Sequence, residues 1–286
     1  MRQTYFLLLL VTSSLFSNAQ LSAGIFGGIS NYQGDLVDKA YVGRFTKPAI
    51  GINVGYELSD KITLRAGLTF AKVAGDDKYN TKEYLQIRNL NFQSNITELS
   101  VRGEYNVFSL NDKRFTPFVF GGIALYHFNP YTTLGTDDQK VYLQPLGTEG
   151  QGITGYANKP YSLTQLAIPL GGGVKFGLTE TVQIGLEVGV RKLFTDYLDD
   201  VSTNYADPAD LLNARGPLAL DISYRGDEVA GGDPNYPAKG AQRGGSDFKD
   251  WYYFTGLNIS FKLGSGYGSG GSYKSGRKGY GCPTIF

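Results

Sequence analysis

Thr181-Val182-Gln183-Ile184-Gly185-Leu186-Glu187-Val188-Gly189-Val190-Arg191 alternates apolar and polar residues without a break. Successive side chains of a β-strand point to opposite faces. Val182, Ile184, Leu186, Val188 and Val190 therefore share one face, and Gln183, Glu187 and Arg191 share the other. A face of aliphatic residues suits lipid, and a face carrying a glutamate and an arginine suits a polar barrel interior.

Working outward from this stretch, seven more read as strands: 21–32, 49–58, 62–73, 96–108, 115–128, 162–178 and 251–263, with the quoted one running over 181–194. In the second, Ile50, Ile52, Val54 and Tyr56 fall on the apolar face; in the third, Ile62, Leu64, Leu68 and Phe70; in the fourth, Leu99, Val101 and Tyr105. The phase of the fifth stretch is not readable. The connections alternate long and short, with long loops at 33–48, 74–92, 129–160 and 195–249. Short turns on one side and long loops on the other are the habit of outer-membrane barrels. The expectation is an all-β fold: an eight-stranded antiparallel up-and-down transmembrane β-barrel over 20–263, with long external loops and both termini in the periplasm. A soluble eight-stranded calyx is the structural alternative, with apolar residues inside and polar ones outside.

Residues 1–19 read as a signal peptide. Arg2 is the positive end, Tyr5–Val11 the apolar run, and Ser17 and Ala19 precede a cut before Gln20. The apolar run is shorter than the roughly 20 residues of a spanning helix. No cysteine follows the cut, which argues against a lipoprotein. The mean hydropathy of −0.21 is compatible with a barrel, which shows lipid only every second residue. Gly (39), Tyr (21) and Phe (17) are abundant, as small crowded lumens and aromatic girdles require. Lys and Arg total 27 and Asp and Glu 26, a balance that gives no reason to expect a nucleic-acid partner.

The strand phases send Glu57, Glu98, Glu104 and Glu187 inward, with Arg65, Arg102, Lys175 and Arg191. Buried charges need partners. Four acids with four bases read as an ion-pair network plugging a lumen that eight strands leave just wide enough for side chains. A proton or solute pathway is the alternative. Lys262 points inward too, at the end reached by water. Residues 264–286 read as a Gly/Ser-rich, basic and flexible periplasmic tail carrying Lys274, Arg277 and Lys278, with an apolar tip at Cys282, Ile285 and Phe286. These six are the candidate partner-binding residues. Cys282 is the sole cysteine, so an intermolecular disulfide is its available oxidative fate. A tail without a role is the other reading.

Enzymatic chemistry finds little support. His127 is the only histidine, and its spacing from Ser and carboxylates shows no nucleophilic grouping. An interfacial histidine beside Tyr126 and Phe128 is the plainer reading. No Cys/His pattern suggests zinc, and no cofactor is expected. Between Thr195 and Asp250 eleven Asp and Glu stand against five Lys and Arg. Calcium ligation and structural pairing both fit that loop, though its spacing is not that of an EF-hand. Gly171-Gly172-Gly173 lies inside a strand, where relief of crowding explains it better than phosphate binding.

Asn31-Tyr32-Gln33-Gly34-Asp35-Leu36, the stretch from Arg191 to Val201 (RKLFTDYLDDV), and a signal ending Ala19-Gln20 together resemble the PorG-type outer-membrane barrels of the Bacteroidota type IX secretion system. The resemblance covers most of 21–263. It implies a non-enzymatic accessory component that docks on a periplasmic ring of lipoprotein and other secretion-system subunits while sitting in outer-membrane lipid. It brings no catalytic residues. The two competing functions are an OmpA-like surface barrel whose loops bind a ligand or stiffen the membrane, and a lipid-modifying outer-membrane enzyme.

Overall fold

The computed structural model describes residues 21–134, 139–247 and 249–263. Residues 1–19, read above as a signal peptide, and the tail with Lys274, Arg277, Lys278, Cys282, Ile285 and Phe286 lie outside the described residues. Nine strands run in chain order: β1 (Leu21–Gln33), β2 (Lys47–Glu57), β3 (Ile62–Asp76), β4 (Asn91–Asn106), β5 (Phe115–Leu134), β6 (Gln139–Tyr142), β7 (Thr164–Gly177), β8 (Val182–Leu193) and β9 (Trp251–Leu263). Eight of them form the wall. Each pairs antiparallel with its neighbours, β1 pairs with β9, and β4 with β5, so the sheet closes on itself. β6 is the exception, a short strand hairpinned onto the upper end of β5.

The wall is inverted relative to a soluble calyx. Ile50 and Ile123 are 62% and 66% exposed on its outside. Leu99, Val119, Leu166, Leu186 and Leu257 continue the exposed aliphatic surface around the barrel. Inside, Arg65, Arg102, Glu98, Glu104, Lys175, Glu187 and Arg191 are all buried. A continuous apolar exterior around a charged interior is stable only with lipid outside. This is a transmembrane barrel. No helix among the described residues is long and apolar enough to cross a membrane, which leaves the strands as the crossing elements.

The fifth strand, whose phase the sequence hides, turns Phe118, Phe120, Tyr126 and Phe128 inward and Val119, Ile123 and Leu125 outward. Gly171 and Gly173 make the β7 crossing possible. A Cβ at Gly173 would lie 2.0 Å from the Leu186 carbonyl oxygen, and one at Gly171 2.5 Å from the Phe120 ring. The short turns are tight: Leu58 N–H donates to Ile62 O at 2.9 Å and Leu178 N–H to Val182 O at 2.9 Å.

At the other end the long connections are structured. They hold three helices, α1 (Glu83–Arg88), α2 (Pro208–Arg215) and α3 (Pro217–Ser223). α2 starts where a capped N-terminus predicts: the Asp207 carboxylate accepts from Ala209 N–H at 2.9 Å, and Pro208 occupies the first turn.

Candidate functional site

Two constellations stand out, one inside the wall and one in the cap above it. Inside, Glu104 is the hub. Arg65 Nε donates to it at 2.6 Å, Lys175 Nζ at 2.7 Å, and Arg102 Nε lies 3.2 Å away. Arg102 also grips Glu187 with two hydrogen bonds of 2.9 and 2.8 Å. Arg191 holds Glu98 at 3.0 and 3.2 Å, and Tyr252 donates to the same carboxylate at 2.7 Å. Bidentate guanidinium–carboxylate pairs add geometric specificity to charge neutralisation. Aromatic faces complete the packing: the Arg102 guanidinium lies 4.5 Å from the Phe120 centroid, Lys175 Nζ 4.4 Å from Phe118, and the Arg191 guanidinium 4.1 Å from Phe254. Two cavities among these side chains measure about 20 Å³ each, room for a water rather than a conduit.

Seven of the eight inward charges meet in two groups, Arg65, Arg102, Lys175, Glu104 and Glu187 in one and Arg191 with Glu98 in the other, and the eighth lies apart. Glu57 pairs instead with Lys262, at 3.2 Å and close to the short-turn end. The four-against-four grouping is corrected accordingly. Glu57 ends β2, and Thr63 stands between it and Glu104 in the ladder, so its reach is to Lys262 on β9.

The cap is built from buried loop carboxylates. Tyr32 donates to Asp199, and to Asp250 at 3.2 Å. Asp250 accepts from Leu198 N–H at 2.9 Å, and Asp199 from Val201 N–H at 2.9 Å. Asp200 accepts from Tyr161 at 2.7 Å and Thr148 at 2.6 Å. Its backbone is left-handed, φ 68°, a conformation aspartate tolerates better than most residues. Glu149 accepts from Ser202 N–H at 2.9 Å and from Arg243 at 3.0 Å. Arg88 is held by Asp77 at 2.6 and 2.7 Å.

Burial pushes Asp199 and Asp250 well above the usual carboxylate range, Asp196 to about 7 and Asp200 to about 6. The Arg243 charge opposes burial at Asp200, and a hydrogen bond from Ser202 opposes it at Asp196. The acidic loop thus spends its carboxylates on hydroxyls, backbone N–H groups and Arg243. Among the described residues no group of three or more His, Cys, Asp and Glu is arranged to hold a metal ion.

His127 faces outward, away from Tyr126 and Phe128, which are buried inside. Its Nδ1 lies 3.0 Å from Thr164 Oγ1. On the long-loop side a groove of about 990 Å³ opens between the cap and the top of the wall, with Tyr84, Tyr205, Tyr224 and Trp251 among its lining. Sequence reasoning missed Tyr32, Glu149, Arg243 and Arg88 as cap residues; the partners are up to 218 positions apart and follow no strand period.

A charge-filled, eight-stranded membrane barrel under a hydrogen-bonded cap is the class that fold and site define. The chain matches the model of a domain of unknown function, DUF6089, over residues 2–147, just over half its length. It belongs to the DUF6089 family. Among solved structures it is similar to Neisserial surface protein A (8% identity, TM-score 0.44, covering 86% of this chain and 99% of that one). It is similar also to the outer membrane protein OprG from Pseudomonas aeruginosa (11%, TM-score 0.42, 86% and 97%) and to the outer membrane protease OmpT from Escherichia coli (8%, TM-score 0.39, 85% and 97%). Curated proteins gave no match.

Proposed function

We propose that this chain is a non-enzymatic outer-membrane barrel that anchors or organises a type IX secretion apparatus through periplasmic contacts. The observation that carries the reading is the filled interior: seven paired charges, a group of five and a separate Arg191–Glu98 pair, occupy the lumen with their aromatic partners. A barrel so filled serves as a fixed membrane element rather than a path for substrate. The signal-like residues 1–19 support export. The resemblance of 31–36 and 191–201 to PorG-type barrels supports the secretion role and supplies the expected partner, a periplasmic ring lipoprotein with its associated subunits. His127 on the lipid side, beside a threonine, speaks against a hydrolytic centre. In this reading the tail residues Lys274, Arg277, Lys278, Cys282, Ile285 and Phe286 reach the ring from below.

Truncation after Leu263 tests it. The barrel is expected to insert as before and to lose co-purification with periplasmic subunits, and Cys282→Ser is expected to remove any reduction-sensitive band of higher mass. Full recovery of those subunits with the truncated chain would refute the tail as tether.

The external groove favours a second reading, a surface barrel whose loops bind an outside ligand. Aromatic side chains beside polar groups suit ligand binding. Shortening the loop at 226–247 would then abolish ligand binding by intact cells, while tail truncation would leave it unchanged.

A further inference from the structure

Arg65, Arg102 and Arg191 line one cavity inside the barrel with Ser100, Asn258 and a single carboxylate, Glu187. That carboxylate is already committed to Arg102 through both oxygens. Two donors belonging to this wall have no acceptor among the described residues, Arg191 Nη1 and Asn258 Nδ2. Their side chains are 2% and 6% exposed, so bulk water does not satisfy them. The network as a whole carries Glu98, Glu104 and Glu187 against Arg65, Arg102, Lys175 and Arg191, which leaves one positive charge unmatched. Glu57 and Lys262 neutralise each other.

An unmatched buried charge and orphaned donors are each costly. We propose that this cavity binds one small monovalent anion of the chloride class, held by Arg191 and Asn258 among three guanidinium groups. A water molecule accepts from the two donors but leaves the charge; a halide does both. The cavity, about 20 Å³, has room for a single such occupant.

Crystals of the full-length protein grown in bromide provide the test, together with melting in detergent. One anomalous peak in the cavity is expected. The melting temperature is expected to rise saturably with chloride or bromide relative to equimolar gluconate, as for any ligand that binds only the folded state. Asn258→Asp fixes a negative charge at the site and should remove both the peak and the halide dependence. If that variant does not insert, Asn258→Ala should shift the halide dependence to severalfold higher concentration. A cavity without anomalous signal and identical melting in both salts would overturn the proposal. A peak without halide-dependent melting would mark an adventitious ion only, and would overturn it as well.

Discussion

The phenol of Tyr32, at the top of β1, donates to the carboxylate of Asp199, 167 positions further along the chain. Both residues are buried, and Asp250, just before β9 at the same rim, shares the same hydroxyl at 3.2 Å. The two sequence stretches that carry the family resemblance, 31–36 and 191–201, thus meet at one point. Their role in the fold is to lock the long loops onto the rim of the wall.

Tyr32→Phe removes the shared hydroxyl and leaves two buried carboxylates short of a donor. A loss of about 1–3 kcal/mol is expected, read by urea unfolding from detergent micelles. In a double-mutant cycle with Asp199→Asn the two losses should fall well short of adding. Strict additivity would mean the two side chains act independently.

Gly34 sits under this lock. A Cβ there would lie 2.0 Å from Asp250 Oδ1 and 2.1 Å from Tyr32 Oη. Gly34→Ala should therefore cost about 1–3 kcal/mol through overpacking. Gly27→Ala is the matched control, because a Cβ at Gly27 meets nothing within 4 Å. Equal melting of the two variants would show that the crowding at Gly34 is relieved without cost.

The cap should loosen as pH rises. An acid with a raised native pKa keeps its proton in the folded state, whereas the unfolded chain gives it up above about pH 4. Each such group therefore opposes folding progressively from about pH 4 up to its native value, about 6 for Asp200 and about 7 for Asp196. Hydrogen exchange in 195–205 should be slower at pH 5 than at pH 8 after correction for the intrinsic rate. Asp196→Asn should flatten that difference. Protection that increases toward pH 8 would reverse the assignment.

Leu186 and Gln183 test the wall residue by residue. Leu186 is 47% exposed on the outer face, so Leu186→Arg should cost about 2–4 kcal/mol near the bilayer midplane. Gln183→Arg, on the inner face near the Glu57–Lys262 end, should be milder. Indistinguishable insertion yields in a liposome folding assay would contradict the orientation of β8.

The wall was legible in the sequence because lipid and lumen impose opposite chemistry on alternate residues, as in β8. The same logic fails at β5. There Phe118 and Phe120 turn inward to lie against Lys175 and Arg102, so both faces are apolar and the period vanishes. Strand phase sends Glu57 inward but does not say which partner it meets there, and Lys262 rather than the Glu104 group takes it. The cap was illegible for another reason. Arg243 and Glu149 meet across 94 positions, and loop residues chosen by tertiary geometry leave no periodic trace. An acidic run such as 196–200 reads equally as a cation site or as a set of acceptors; the hydroxyls and N–H groups that use it lie elsewhere in the chain.

The central claim is that the barrel is closed by its own side chains. Single-channel recording of the purified protein in planar bilayers addresses it directly. No steady conductance is expected from the intact chain, because Glu104, Glu187 and Glu98 tie the arginines and Lys175 across the lumen. Stable, large-conductance channels from the intact chain would contradict it.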